Sequence, residues 1–305
     1  MKRMILGKKK VRKGRILFFL FMVLLGAFLS YKRIEKSRIK ITDKKFVEFI
    51  TNYSFQKEDT ILDHLLEKAL EISNPVKLLN DDYQKYLYKT TMVSSTNDVE
   101  EKEEPIIYLY NTHQTEEYAS STYAEFSVYP TVIMNNYILE DVFNKNGFHT
   151  IVEERSIKEI LNQKQWNYAA SYKASRILIE DTYQKYPSLK YFIDIHRDSL
   201  TRDKTTIEIN HKDYAKILFI VGMENPNYSG NLELTEKIHE MINTYYPNLS
   251  KGIYKKSGYG VNGIYNQDFS SNTILVEMGG YQNTTTEILN SALAFARCFM
   301  EVIHE

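Results

Sequence analysis

The sequence predicts an α/β domain built on a mixed, mostly parallel sheet flanked by helices, with a transmembrane helix at its N-terminus. Two observations carry this. From Pro105 onward, short apolar runs of strand length alternate with longer stretches of helical spacing. Before that, residues 1–31 join a basic block to an unbroken apolar run.

The basic block comes first. Residues 1–15 hold eight basic side chains and no acidic one. Ile16 to Leu29 then reads ILFFLFMVLLGAFL, 14 uncharged residues. A spanning helix usually takes about 17–25 residues, but Arg15 and Lys32 can snorkel and lengthen this one. A cleaved signal peptide has an apolar region of similar length. Its cleavage site needs small residues at alternate positions, and Phe28 and Leu29 stand where they are needed. A retained anchor over residues 16–31 is therefore expected, with a cytoplasmic tail at 1–15 and the rest of the chain outside the cell membrane.

The formal net charge is zero. With the eight N-terminal bases set aside, 31 Lys and Arg (39 less 8) face 39 Asp and Glu, a balance of −8. A body of that sign is a poor match for phosphate, so a nucleic-acid partner is excluded. Cys298 is the only cysteine, which rules out intramolecular disulfides and cysteine zinc cages.

Residues 32–104 read as a juxtamembrane region. Ile61, Leu62, Leu65, Leu66, Ala69 and Ile72 fall near helical spacing, and Asn74-Pro75 stops the pattern. A Ser/Thr-rich and then acidic stretch over 92–105 reads as a linker, so the folded domain is placed at 105–305.

Within it, strands are expected at 106–111, 149–153, 191–195, 207–210, 217–222 and 273–278. Helices are expected at about 131–146, 168–185, 231–245 and 284–303. In open α/β sheets, chemistry collects at the carboxyl ends of strands. Three strands end on suitable residues. PIIYLYN runs into Thr112-His113-Gln114-Thr115-Glu116-Glu117, YFIDI into His196-Arg197-Asp198, and TILVE delivers Glu277 ahead of Met278-Gly279-Gly280. Two histidines and a carboxylate make a catalytic zinc site with a fourth position open. A further glutamate can move protons beside it.

The His113/Glu116 spacing means little alone. Seven histidines and 39 acidic residues produce such a spacing about 0.9 times by chance. His64 and Glu67 repeat it on the predicted surface helix. What singles out His113 is its strand end and its company. Asp194 shares a strand face with His196, as a partner fixing the imidazole tautomer or as a satisfied edge carboxylate. Arg197 points the other way, to hold an anionic substrate group or to form a structural ion pair. Gly279-Gly280 would allow close backbone approach to a glycopeptide, or simply make a turn.

NTHQTEEY, YFIDIHRDS, SYKASR, GMENPNY, KGIY, YNQDFS and VEMGGYQNT, in this order, resemble the stage II sporulation protein P family. The resemblance covers about 105–303. It implies a membrane-anchored zinc cell-wall hydrolase with the mixed-sheet fold of N-acetylmuramoyl-L-alanine amidases. It further implies peptidoglycan as substrate, and other cell-wall hydrolases or membrane proteins of an engulfment-type complex as partners. By position, His113 and His196 match the zinc histidines, Glu277 the catalytic glutamate and Glu116 the acidic residue of the first motif. Related amidases often take a ligand from the helix after that motif. Here SVYPTVIMNN has no acidic residue, so Glu116 is the expected ligand, with Glu117 and Glu125 in reserve.

The reading is then a zinc amidase with Zn²⁺ on His113, Glu116 and His196 and with Glu277 as proton carrier. Asn266 and Gln267, beside Tyr265, are expected to line the groove with Arg197. The alternatives are a zinc endopeptidase cutting stem-peptide cross-links and a non-catalytic wall-binding scaffold.

Overall fold

A computed structural model describes residues 104–119 and 130–304. The expected anchor, the helix at 59–72 and Glu125 lie outside the described residues. Among the described residues, no helix is long and apolar enough to cross a membrane.

The strands are β1 (Ile107–Tyr110), β2 (Thr150–Val152), β3 (Tyr191–Asp198), β4 (Thr206–Ile209), β5 (Lys212–Ala215), β6 (Ile217–Gly222), β7 (Ser250–Lys256) and β8 (Thr273–Gly280). The helices are α1 (Ile133–Lys145), α2 (Ile157–Lys164), α3 (Ser171–Lys185), α4 (Arg202–Thr205), α5 (Tyr228–Tyr245) and α6 (Thr285–His304). Six strands form one sheet in the order β2-β1-β3-β8-β6-β7. β2, β1, β3 and β8 are parallel. β6 runs antiparallel to β8 and parallel to β7. The sheet is thus mixed and mostly parallel, as the alternating pattern predicts. β4 and β5 form a separate hairpin.

Strand alternation sorts the side chains into two faces. One face carries Leu109, Ile193, Ile195, Val276, Met278, Ile217 and Phe219, packed with α1, α5 and α6 into the main core. Phe295 and Phe299 of α6 anchor it, fully buried and stacked with centroids 5.7 Å apart. Each such burial stabilises by roughly 1.5–3 kcal/mol. α6 begins at a reciprocal cap. Thr284 Oγ1 accepts from the Glu287 N–H at 3.3 Å, and Glu287 Oε2 accepts from the Thr284 N–H at 3.0 Å.

The other face carries Tyr108, Tyr110, Phe192, Asp194, His196, Leu275 and Glu277. It is covered by α3 over β1 and β3, where Ile179 and Leu189 pack on the tyrosines. Arg176 on α3 ties the 264–272 loop down through a two-pronged ion pair with Asp268, both at 2.9 Å.

Several elements depart from the pattern read in the sequence. α2 is not among the expected elements, although Ser156 Oγ accepts from the Glu159 N–H at 3.2 Å in a Ser-x-x-Glu cap. β5 and β7 are not among them either. β3 and β8 run two or three residues past their apolar runs, so His196 and Gly279-Gly280 lie within strands. Those glycines meet the protein itself. A Cβ on Gly280 would strike the Leu200 carbonyl, and Gly279 sits at φ +64° against Ala215. They are a packing requirement, not a substrate approach.

Candidate active site

β1 ends at Tyr110, and after Asn111 the chain turns through Thr112–Thr115. Asn111 is locked under this turn. Its Nδ2 donates to the Ile195 carbonyl at 2.7 Å, and its Oδ1 accepts from Asn136 Nδ2 at 2.7 Å. Asn136 belongs to the first turn of α1, which carries no acidic residue. Asp194, fully buried on β3, holds the next residue. Its carboxylate accepts the Thr112 N–H at 2.9 Å and the Thr112 hydroxyl at 2.7 Å. His113 is thereby fixed over the ends of β1 and β3.

His113 and His196 stand edge to face, with ring centroids 5.2 Å apart. Burial pushes His113 below its ordinary pKa, and the neighbouring His196 adds to this. For His196 burial works downward as well, but Asp194 and Glu116 outweigh it and raise the imidazole. His196 Nε2 lies 3.0 Å from Asp194 Oδ1. His196 Nδ1 faces the other carboxylate, 3.7 Å from Glu116 Oε2. The Arg197 N–H donates to that same Oε2 at 2.9 Å and holds Glu116 in place.

Glu277 completes the group. It is register-paired with His196 on the neighbouring parallel strand, so both side chains leave the same face. Every other position of β8 is buried, and Glu277 alone reaches solvent. Burial raises its pKa to about 7, and the nearby Asp198 charge pushes in the same direction. Lys251 Nζ pairs with Asp198 Oδ2 at 2.9 Å. Lys251 reaches there from a bulge, where β7 sets Lys251 and Gly252 (φ +113°) opposite the single residue Leu218.

The structure therefore brings together His113, Glu116, His196, Asp194 and Glu277. Glu117 is exposed, and its carbonyl accepts from Arg197 Nε at 2.8 Å. The Arg197 guanidinium also lies over the Tyr281 ring at 6.0 Å. Gln267 is a correction to the sequence reading. It is fully buried, and both ends of its amide are bonded to β6, at the Ile220 carbonyl and the Gly222 N–H. It clamps a strand, and its full burial keeps it from a substrate. Asn266 is likewise buried, its Nδ2 donating to Tyr172 O and Ser175 Oγ on α3.

Thr112, Asp198, Lys251, Tyr168 and Tyr172 were missed in the sequence. Tyr168 stacks on His113 with centroids 4.9 Å apart, and Tyr172 packs edge-on to the same ring. The alternation of Asp194, His196 and Asp198 could have signalled Asp198. Nothing in the sequence signals the bulge that aims Lys251.

Do these residues fit a metal ion? Among the described residues, no three His, Cys, Asp or Glu side chains form a ready cage. The donor chemistry nevertheless fits. The His113 Nδ1 atom is buried without a hydrogen-bond partner, and buried polar atoms are rarely left so. Two carboxylates converge on His196, an arrangement that favours added positive charge.

A model of the stage II sporulation protein P family matches residues 29–300. The chain belongs to the stage II sporulation protein P family. A relative within that family, stage II sporulation protein P of Bacillus subtilis (strain 168), is 31% identical over 244 residues. The match spans 75% of this chain and 60% of that protein's length. Among solved structures, the family member is similar to the CwlD amidase from Clostridioides difficile, determined with the GerS lipoprotein. The TM-score is 0.43 and identity 12%, over 65% of this chain and 98% of that one. A metallo-carboxypeptidase from Burkholderia cenocepacia is similar at TM-score 0.37 and 10% identity, over 69% of this chain and 60% of that one.

Proposed function

We propose that this chain is a zinc-dependent peptidoglycan hydrolase of sporulation that cleaves the amide between N-acetylmuramic acid and the stem peptide. The observation that carries the reading is the meeting of half-buried His113 with buried His196, ring centroids 5.2 Å apart, beside Glu277, which is register-paired with His196. Family membership supports the wall and sporulation context.

His113, Glu116 and His196 would hold the zinc. When bound, zinc would polarise the scissile carbonyl and acidify a water. Asp194 steadies both histidines, through Thr112 on one side and beside the His196 ring on the other. Glu277 accepts the proton of the attacking water and passes it to the departing amine of the peptide. Water adds across the C–N bond, leaving a lactyl carboxylate and a free amino group. Burial favours the protonated form of the Glu277 carboxyl, and its position beside His196 lets it serve both halves of that exchange. Arg197, with a guanidinium bonded only to backbone carbonyls and stacked on Tyr281, is placed to meet a stem-peptide carboxylate. The N-terminal anchor would hold the domain against the outer face of the cell membrane, beside its substrate.

Mass spectrometry of purified wall digested by the full chain tests this. Release of intact stem peptides with a free N-terminal alanine, leaving bare glycan, is the expected product pattern. Cleavage confined to cross-links would replace the amidase reading with an endopeptidase one.

A further inference from the structure

The connection between α2 and α3 carries two aromatic side chains that the core does not absorb. α2 closes on Gln165 in the left-handed conformation (φ +54°), and the Trp166 N–H donates back to the Leu161 carbonyl at 2.8 Å. This ending usually folds the following side chain onto the helix it closes. Trp166 instead stays 37% exposed, and Tyr168, at the start of the short 3₁₀ turn, is 59% exposed. Tyr168 is not a stray surface tyrosine. One side of it lies on His113, with centroids 4.9 Å apart and planes 23° from parallel. Other exposed tyrosines, such as Tyr254 and Tyr259, have no ring contact with either histidine.

We infer that Tyr168, with Trp166 two residues before it in the chain, forms a sugar-stacking lip on this site, which takes the face of an N-acetylated hexose in a glycan strand. The inference rests on the wall-hydrolase reading and names the part of the substrate that the lip recognises. An aromatic face is electron-rich, and the flat side of a pyranose presents C–H bonds of weakly positive character. Stacking removes both apolar surfaces from water and leaves the sugar hydroxyls solvated. A tyrosine already held by His113 gives up little rotamer freedom when the sugar arrives. Placement agrees with chemistry. The muramic ring adjoins the proposed scissile amide, and Tyr168 adjoins a proposed metal ligand. A stem peptide of small and charged residues has no ring to match such a surface.

Trp166, two residues from Tyr168, is the only tryptophan, so intrinsic fluorescence reports on the segment that carries the lip. The full chain is titrated with peptide-free glycan strands and, separately, with free stem peptide. A saturable change in emission is expected with glycan. Tyr168→Ala should weaken glycan affinity about tenfold, while Tyr168→Phe, which keeps the ring, should stay within about twofold. Because Tyr168 is largely exposed, the melting temperature of both variants should match the parent. Unchanged emission with glycan, equal affinity in Tyr168→Ala, or a response to peptide alone each overturns the inference. The two readings fail separately. Tyr168-dependent glycan binding without wall hydrolysis would keep the lip and reject the hydrolase. Wall hydrolysis with no glycan response would reject the lip alone.

Discussion

Asp194 accepts both the backbone N–H and the hydroxyl of Thr112, at 2.9 and 2.7 Å. Thr112 precedes His113, and Asp194 also lies 3.0 Å from His196. One buried carboxylate therefore positions both histidines. Asp194→Asn should lower zinc affinity about 10–100-fold while the fold persists. Competition against a chromophoric chelator measures this. Parent-like affinity would reduce Asp194 to a structural tie.

Zinc itself should be stoichiometric at one per chain. His113→Ala and His196→Ala should each lose most of it in elemental analysis. Chelation should abolish wall hydrolysis in the parent, and added zinc should restore it. Full zinc retention in both variants would remove the site.

Glu277→Gln separates proton transfer from metal binding. The amide keeps the shape but cannot accept a proton. Hydrolysis should fall about 10²–10⁴-fold with zinc content intact. Loss of zinc along with activity would make Glu277 a ligand in place of Glu116.

Phe299 tests the opposite side of the sheet. It is fully buried and touches Phe143, Tyr191 and Phe295. Phe299→Ala should destabilise by about 3–5 kcal/mol in urea unfolding of the metal-free chain. A loss below about 1 kcal/mol would mean that the core collapses around the gap.

The anchor is tested on whole cells. Protease added to intact protoplasts should degrade the domain, and the mature N-terminus should lie upstream of residue 16. A mature chain that starts near Tyr31 would show a cleaved signal peptide.

How legible an element was in the sequence followed its burial. β1 and β6 are apolar and buried on both faces, and each stands where its apolar run lies. α6 buries Ile288, Ala292, Phe295 and Phe299 at helical spacing and was equally plain. β7 was not, because it is an edge strand of Lys, Gly and Tyr with partial burial throughout most of its length. Its pairing with β6 makes it a strand, and its own side chains do not. α2 has only two buried residues, and its cap was the one signal available. Gln267 read as a polar groove residue because residue type does not disclose which backbone groups its amide meets.

By itself, then, the sequence determined which segments are strands and helices wherever burial writes a period into the chain. It also set His113, His196 and Glu277 at the ends of apolar strands. Only the tertiary structure decided that β3 and β8 are neighbours in a register that sets His196 beside Glu277. The same holds for the bulge that turns Lys251 toward Asp198, and for the turn that lays Tyr168 on His113. The reason is physical. A period of 2 or 3.6 residues is a local property, fixed by the backbone and by one buried face. Strand order and register instead minimise the exposed apolar area of all six strands and their helices together, a sum over contacts between residues far apart in the chain.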